Sequence, residues 1–171
     1  MQNKVVTALV RAFADLDMTG LRFNFRGVGA SEGSFADGIG ERDDARAVIG
    51  WARERWPALP LYLGGFSFGA GIALSVAAEV LPRGLVTVAP AVDKVPADFV
   101  APDCPWLLVH GAVDDVVPVD SAASWIETLR VRPRLVVLEG AGHFFHGQLR
   151  ALQEIVRSFF ANDSHVPPPS A

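Results

Sequence analysis

The chain has 171 residues, half of them hydrophobic and a fifth charged, a balance that fits one globular domain burying about two-thirds of its unfolded surface. A net charge of −4 and a pI near 5.5 argue against nucleic acid as a partner, because phosphate binding needs a basic surface. A single cysteine, Cys104, excludes an internal disulfide, and four histidines without paired helical spacing offer no zinc site, so no metal is expected.

The first residues, Met1-Gln2-Asn3-Lys4, lack the apolar core and cleavage pattern of a secretory signal, and the expectation is a cytoplasmic protein. Val5, Val6, Leu9, Ala12, Phe13 and Leu16 recur at helical spacing, with Asn3 placed as N-cap and Gly20 just past the end. Residues 21–25 read as a short strand, and 26–40 as a glycine-rich loop. Residues 41–56 are helical, with Ala45, Val48, Ile49, Ala52 and Trp56 facing inward. Asp43 and Asp44 lie near the positive end of that helix, Arg53 and Arg55 near its negative end, and Pro57 follows.

Residues 61–78 carry no charge and approach the length of a membrane span. Gly64, Gly65, Ser67, Gly69 and Gly71 break that run, which reads better as a buried strand followed by a buried helix. Two more apolar strands cover 84–89 and 106–110, a helix covers 119–130, a fifth strand 135–138 and a last helix 147–161. Residues 162–171 hold three consecutive prolines and read as a loose, disordered tail, which leaves 1–161 as the domain. Strands alternating with helices imply an α/β fold, a parallel sheet of about five strands covered on both faces. Sites in that architecture form at the carboxyl edge of the sheet.

One pentapeptide stands at such an edge. Gly65-Phe66-Ser67-Phe68-Gly69 joins a strand to a helix through a sharp turn with serine at its tip. A strained serine backbone and a close strand–helix crossing call for glycine on both flanks. The turn lifts the hydroxyl above the sheet and aims the Phe68 N–H at whatever the serine attacks. A serine hydroxyl needs a base in hydrogen-bond reach, and the base needs a carboxylate to fix its tautomer. Asp114 follows the strand 106–110, and His143 follows the strand 135–138. Either could have a plainer role, Asp114 or Asp115 as a cap for the helix near Val119 and His143 as a packing residue. Three such residues at one sheet edge, in the order Ser, Asp, His, make a catalytic set the better reading. Asp114 is preferred over Asp115 for its distance from Gly111, and His143 over His146 as the first histidine out of the strand. His146 then becomes a packing or substrate-side residue.

These segments resemble the α/β-hydrolase superfamily: Gly65-Phe66-Ser67-Phe68-Gly69, Gly111-x-x-Asp114-x-x-Val117-Pro118 and Gly142-His143-Phe144-Phe145. The string from Arg22 to Gly33 is similar to the loop after that superfamily's fourth strand, where aspartate often replaces Asn24. The nearest likeness is to small, lidless bacterial serine hydrolases related to dienelactone hydrolases and simple esterases, over nearly the whole chain. The resemblance implies a serine hydrolase acting on a small-molecule carboxylic ester or thioester, with no cofactor. Ser67 would be the nucleophile, His143 the base, Asp114 its partner and the Phe68 N–H an oxyanion donor. Peptidase or acyltransferase chemistry on the same residues is an alternative, as is an inactive binding module. The short 91–105 connection leaves no room for a cap domain, which implies an open, shallow pocket.

Gly27-Val28-Gly29 hints at a dinucleotide-binding turn, but Glu32 stands where the third glycine belongs and the loop opens no helix. Its glycines let it bend beside the active edge, with Arg26 as anchor or substrate-side residue. Members of this superfamily begin with three strands that have no counterpart here. The third lies between the equivalents of 21–25 and the strand before Ser67, and its loop gives the second oxyanion donor. The expectation is a domain incomplete at its amino end, with Met1 an internal methionine of a longer protein. The gap would otherwise close by pairing of the two flanking strands or by a partner copy in a homo-oligomer.

Overall fold

The computed structural model describes residues 3–161; the proline-rich stretch 162–171 lies outside the described residues, as do Met1 and Gln2. Helix α1 (Lys4–Ala14) starts at Asn3, whose side-chain oxygen accepts the N–H groups of Val5 and Val6 at 2.9 and 3.2 Å. This satisfies two of the donors that every helix start leaves unpaired. After the loop come α2 (Ile39–Arg55), β1 (Tyr62–Phe66), α3 (Phe68–Val80) and β2 (Gly84–Val88). A short 3₁₀ turn, Val92–Lys94, leads to β3 (Trp106–Gly111), then α4 (Val119–Glu127), β4 (Arg134–Leu138) and α5 (Leu149–Ala161). The charge-free run 61–78 is therefore a strand and a helix, and among the described residues no helix is long and apolar enough to cross a membrane.

The strands form one parallel four-stranded sheet in the order β1-β2-β3-β4. Alternation along each strand sends side chains to opposite faces. Val86, Val88, Leu107 and Val109 pack against α1 and α5, with Ala12, Leu152, Val156 and Phe160 fully buried among them. Leu85, Trp106 and Leu108 face the other way, onto Ala73, Leu74 and Ala77 of α3 and Ile126 of α4. Helix α2 lies outside α3, where Ala45 and Ile49 meet Ile72, Val76 and Val80. The α/β class, with helices on both faces, is as the alternation of elements implied.

One expected strand is not formed. Residues 21–25 make no ladder, and the β1 edge is paired only with β2 among the described residues. The apolar alternation of this segment is real, since Phe23 and Phe25 pack against the α2–α3 cluster. Packing alone does not make a strand; the ladder hydrogen bonds must come from a neighbour, and among the described residues no strand lies alongside.

Candidate active site

Parallel strands share one carboxyl edge, and the loops leaving β1, β3 and β4 carry Ser67, Asp114 and His143 to it. Ser67 has φ 54° and ψ −120°, a conformation rarely open to a residue with a Cβ. Its backbone is held there from both sides: the Ser67 N–H donates to Val88 O at 2.9 Å, and its carbonyl accepts from Ala70 and Gly71 N–H. Gly65 makes the crossing feasible, because a Cβ at that position would sit 2.4 Å from Gly69 O and 2.6 Å from Ala70 Cα. Gly69 is a different case: its nearest neighbour would be the Phe25 ring at 3.9 Å, so the steric demand falls on one flank and not on both.

Serine at a helix N-cap ordinarily turns its hydroxyl onto the first turn. Ser67 precedes α3 but makes no such bond. Its Oγ lies instead 3.0 Å from His143 Nε2. The Phe68 N–H, first in α3, has no partner within the helix and lies next to the hydroxyl in the chain.

His143 is buried, its ring between Phe66 at 4.8 Å and Phe144 at 5.1 Å centroid separation. Its Nδ1 is 2.8 Å from Asp114 Oδ2. Asp114 is buried too, and its other oxygen, Oδ1, accepts the N–H groups of Val116 and Val117 at 2.9 and 2.8 Å. An ionised carboxylate only accepts, so His143 carries its proton on Nδ1 and leaves the Nε2 lone pair toward the serine hydroxyl. Gly111 allows the two loops to meet: a Cβ there would lie 2.3 Å from Ala141 O, and Val113 N–H donates to that same carbonyl at 3.0 Å. Such a line can deprotonate a hydroxyl and stabilise the resulting imidazolium, the arrangement nucleophilic acyl transfer requires.

Of the alternatives, Asp115 and His146 are exposed and stand outside this line; His146 lies near Phe144, with ring centroids 6.0 Å apart. Arg26 is engaged with helix α2. Its guanidinium donates through Nε and Nη2 to Asp44, and its own N–H adds a bond to Asp44 Oδ2 at 2.9 Å. The Arg26 hydrogen bonds hold the Asp44 carboxyl below the usual carboxylate range against the opposing effect of burial. Glu41, which sequence reading passed over, secures the same loop by accepting the N–H groups of Ala36 and Gly38 at 2.9 and 2.8 Å. Burial alone would raise its pKa, but those bonds and the nearby Arg26 charge hold it below its ordinary value. Half of the signal was present: Glu41 is the reaching-back glutamate of a capping box, but Gly38 supplies no side-chain acceptor at the N-cap. The loop anchored this way sets Phe35 against Phe68, with ring centroids 5.7 Å apart.

A doubly covered parallel sheet with a strained serine at a strand–helix turn defines an α/β serine hydrolase. The model of a family described as serine aminopeptidase, S33, matches residues 3–103, and the chain belongs to that family of α/β hydrolases. A lidless α/β serine hydrolase from Xanthomonas campestris is 40% identical, superposes with a TM-score of 0.93, and is matched over 98% of this chain and 77% of its own. An α/β serine hydrolase homologue from Coxiella burnetii is also 40% identical, with a TM-score of 0.88, over 92% of this chain and 76% of its own. An uncharacterised protein of Rickettsia prowazekii is 31% identical, over 93% of this chain and 71% of its own length.

Proposed function

We propose that the chain hydrolyses a small carboxylic ester or thioester in the cytoplasm through a covalent acyl-enzyme on Ser67. The observation that supports this reading is the unbroken hydrogen-bonded line from Ser67 Oγ through His143 to Asp114. His143 Nε2 takes the hydroxyl proton as Oγ attacks the acyl carbon, and Asp114 stabilises the imidazolium that forms. The Phe68 N–H donates to the developing oxyanion. His143 returns its proton to the departing alcohol or thiol, then removes one from water as it attacks the acyl carbon, and gives that proton to Ser67 Oγ as the acyl–oxygen bond breaks and the acid leaves. Half-exposed Phe68 and exposed Phe35 and Phe144 give the substrate an apolar rim.

The test is initial-rate hydrolysis of p-nitrophenyl esters of rising chain length by wild type and Ser67→Ala. Turnover that vanishes in the folded variant is expected; equal rates in the two would remove Ser67 from the reaction. A peptidase is the second reading, favoured by the matched family's description as a serine aminopeptidase. Aminoacyl p-nitroanilides cleaved faster than the esters would select it.

A further inference from the structure

We propose that His110 is a positioning residue that holds Asp114 in register with His143 by gripping the turn 114–117. His110 is the next-to-last residue of β3, on an otherwise apolar strand, and its side chain is wholly buried. A buried imidazole is unfavourable unless hydrogen-bonded, so its retention in the sheet calls for a partner. That partner is Val117: His110 Nε2 lies 2.8 Å from Val117 O. A carbonyl oxygen accepts only, so Nε2 carries the proton and donates. The other ring nitrogen, Nδ1, is buried and has no hydrogen-bond partner among the described residues. Among the described residues, the bond to Val117 is the one hydrogen bond the ring makes.

Val117 is also the residue whose N–H donates to Asp114 Oδ1 at 2.8 Å. A single residue thus links imidazole and carboxylate, its carbonyl tied to the strand and its amide tied to Asp114. His110 Nε2 is itself 3.5 Å from Asp114 Oδ2, the oxygen that takes the His143 proton. At that separation the contact is electrostatic rather than a good hydrogen bond. It sets the positive end of the His110 N–H dipole beside the carboxylate. Take the donor away, and Val117 O loses its tie to β3, the turn relaxes, and Asp114 drifts from His143 Nδ1. His110 touches no reacting atom; it acts through Asp114.

The kinetic arm of the test rests on the ester-hydrolase reading, and a magnetic-resonance arm does not. His110→Leu removes the donor, whereas His110→Gln places an amide N–H where Nε2 stood. In His110→Leu, kcat is expected to fall about 10- to 100-fold, the scale of an ångström's misplacement, with KM within about threefold of wild type. His110→Gln is expected to recover most of the loss. In parallel, the His143 Nδ1–H proton resonance, far downfield while bonded to Asp114, should move upfield or broaden away in His110→Leu and persist in His110→Gln. If His110→Leu does not fold, judged by circular dichroism, His110→Asn replaces it, its shorter amide being unable to span to Val117. An unshifted resonance in the donor-less variant, or equal loss in the Gln and Leu variants with both folded, would overturn the proposal. If wild type turns over no ester yet the resonance follows the expected pattern, the ester-hydrolase reading fails and the role of His110 stands.

Discussion

Replacing Asp114 with asparagine probes the proposed chemistry with little change of shape. Asp114 Oδ1 accepts two backbone N–H groups, and Oδ2 accepts His143 Nδ1. In Asp114→Asn the side-chain oxygen must stay with Val116 and Val117, because an NH2 group there would face two donors. The amide NH2 is then forced toward His143 Nδ1, which must accept. The imidazole proton moves to Nε2, where it donates to Ser67 Oγ rather than receiving its proton. Loss of the correct tautomer is expected to lower kcat about 10⁴-fold, or ~5 kcal/mol of transition-state stabilisation. KM should hardly change, and the melting midpoint should stay within about 4 °C, the equivalent of ~1 kcal/mol at this chain length. Steady-state hydrolysis of p-nitrophenyl acetate, with a thermal melt of the same preparation, measures both. A folded variant retaining more than a tenth of wild-type kcat would rule out Asp114 as the group that sets the His143 tautomer.

Glycine requirements around the serine turn differ between its flanks. Gly65→Ala drives a Cβ into the backbone of Gly69 and Ala70, and is expected to destabilise the fold by about 1–3 kcal/mol or more, read from urea unfolding. Gly69→Ala meets only ordinary contact, and should leave stability unchanged or raise it by about 0.5–1 kcal/mol through helix propensity. The Arg26–Asp44 tie gives a pH signature. Because the folded state lowers the Asp44 pKa, the unfolded chain binds more protons as acid is added, and the stabilisation is complete above pH of about 4 and lost as pH falls through the depressed value. The stability difference between wild type and Asp44→Asn, measured by urea midpoints from neutral pH downward, should therefore shrink in acid; a constant difference would contradict it.

The catalytic candidates were legible because their signals are local. Gly65 and Ser67 announce a strand–helix crossing, and Asp114 and His143 each follow a strand whose carboxyl end the βα alternation fixes. Asp114 and His143 are the pair in hydrogen-bond contact with each other, and His143 with Ser67. What failed to be legible depends on neighbours distant in sequence. Residues 21–25 have a strand's alternation, but whether they form a ladder depends on what lies beside them. Arg26 read as an anchor or a substrate-side group, and only the fold brings Asp44 to its fork. His110 looked like the end of an apolar strand because its partner, Val117, lies across a turn the sequence does not close by itself.

The most direct test of Ser67 as an activated nucleophile is covalent capture. Wild-type protein incubated with a fluorophosphonate probe, digested and mapped by mass spectrometry should carry one adduct, on Ser67, with labelling abolished by Ser67→Ala and strongly slowed by His143→Ala. Folded wild-type protein that stays unmodified, or that labels as fast without His143, would contradict the account.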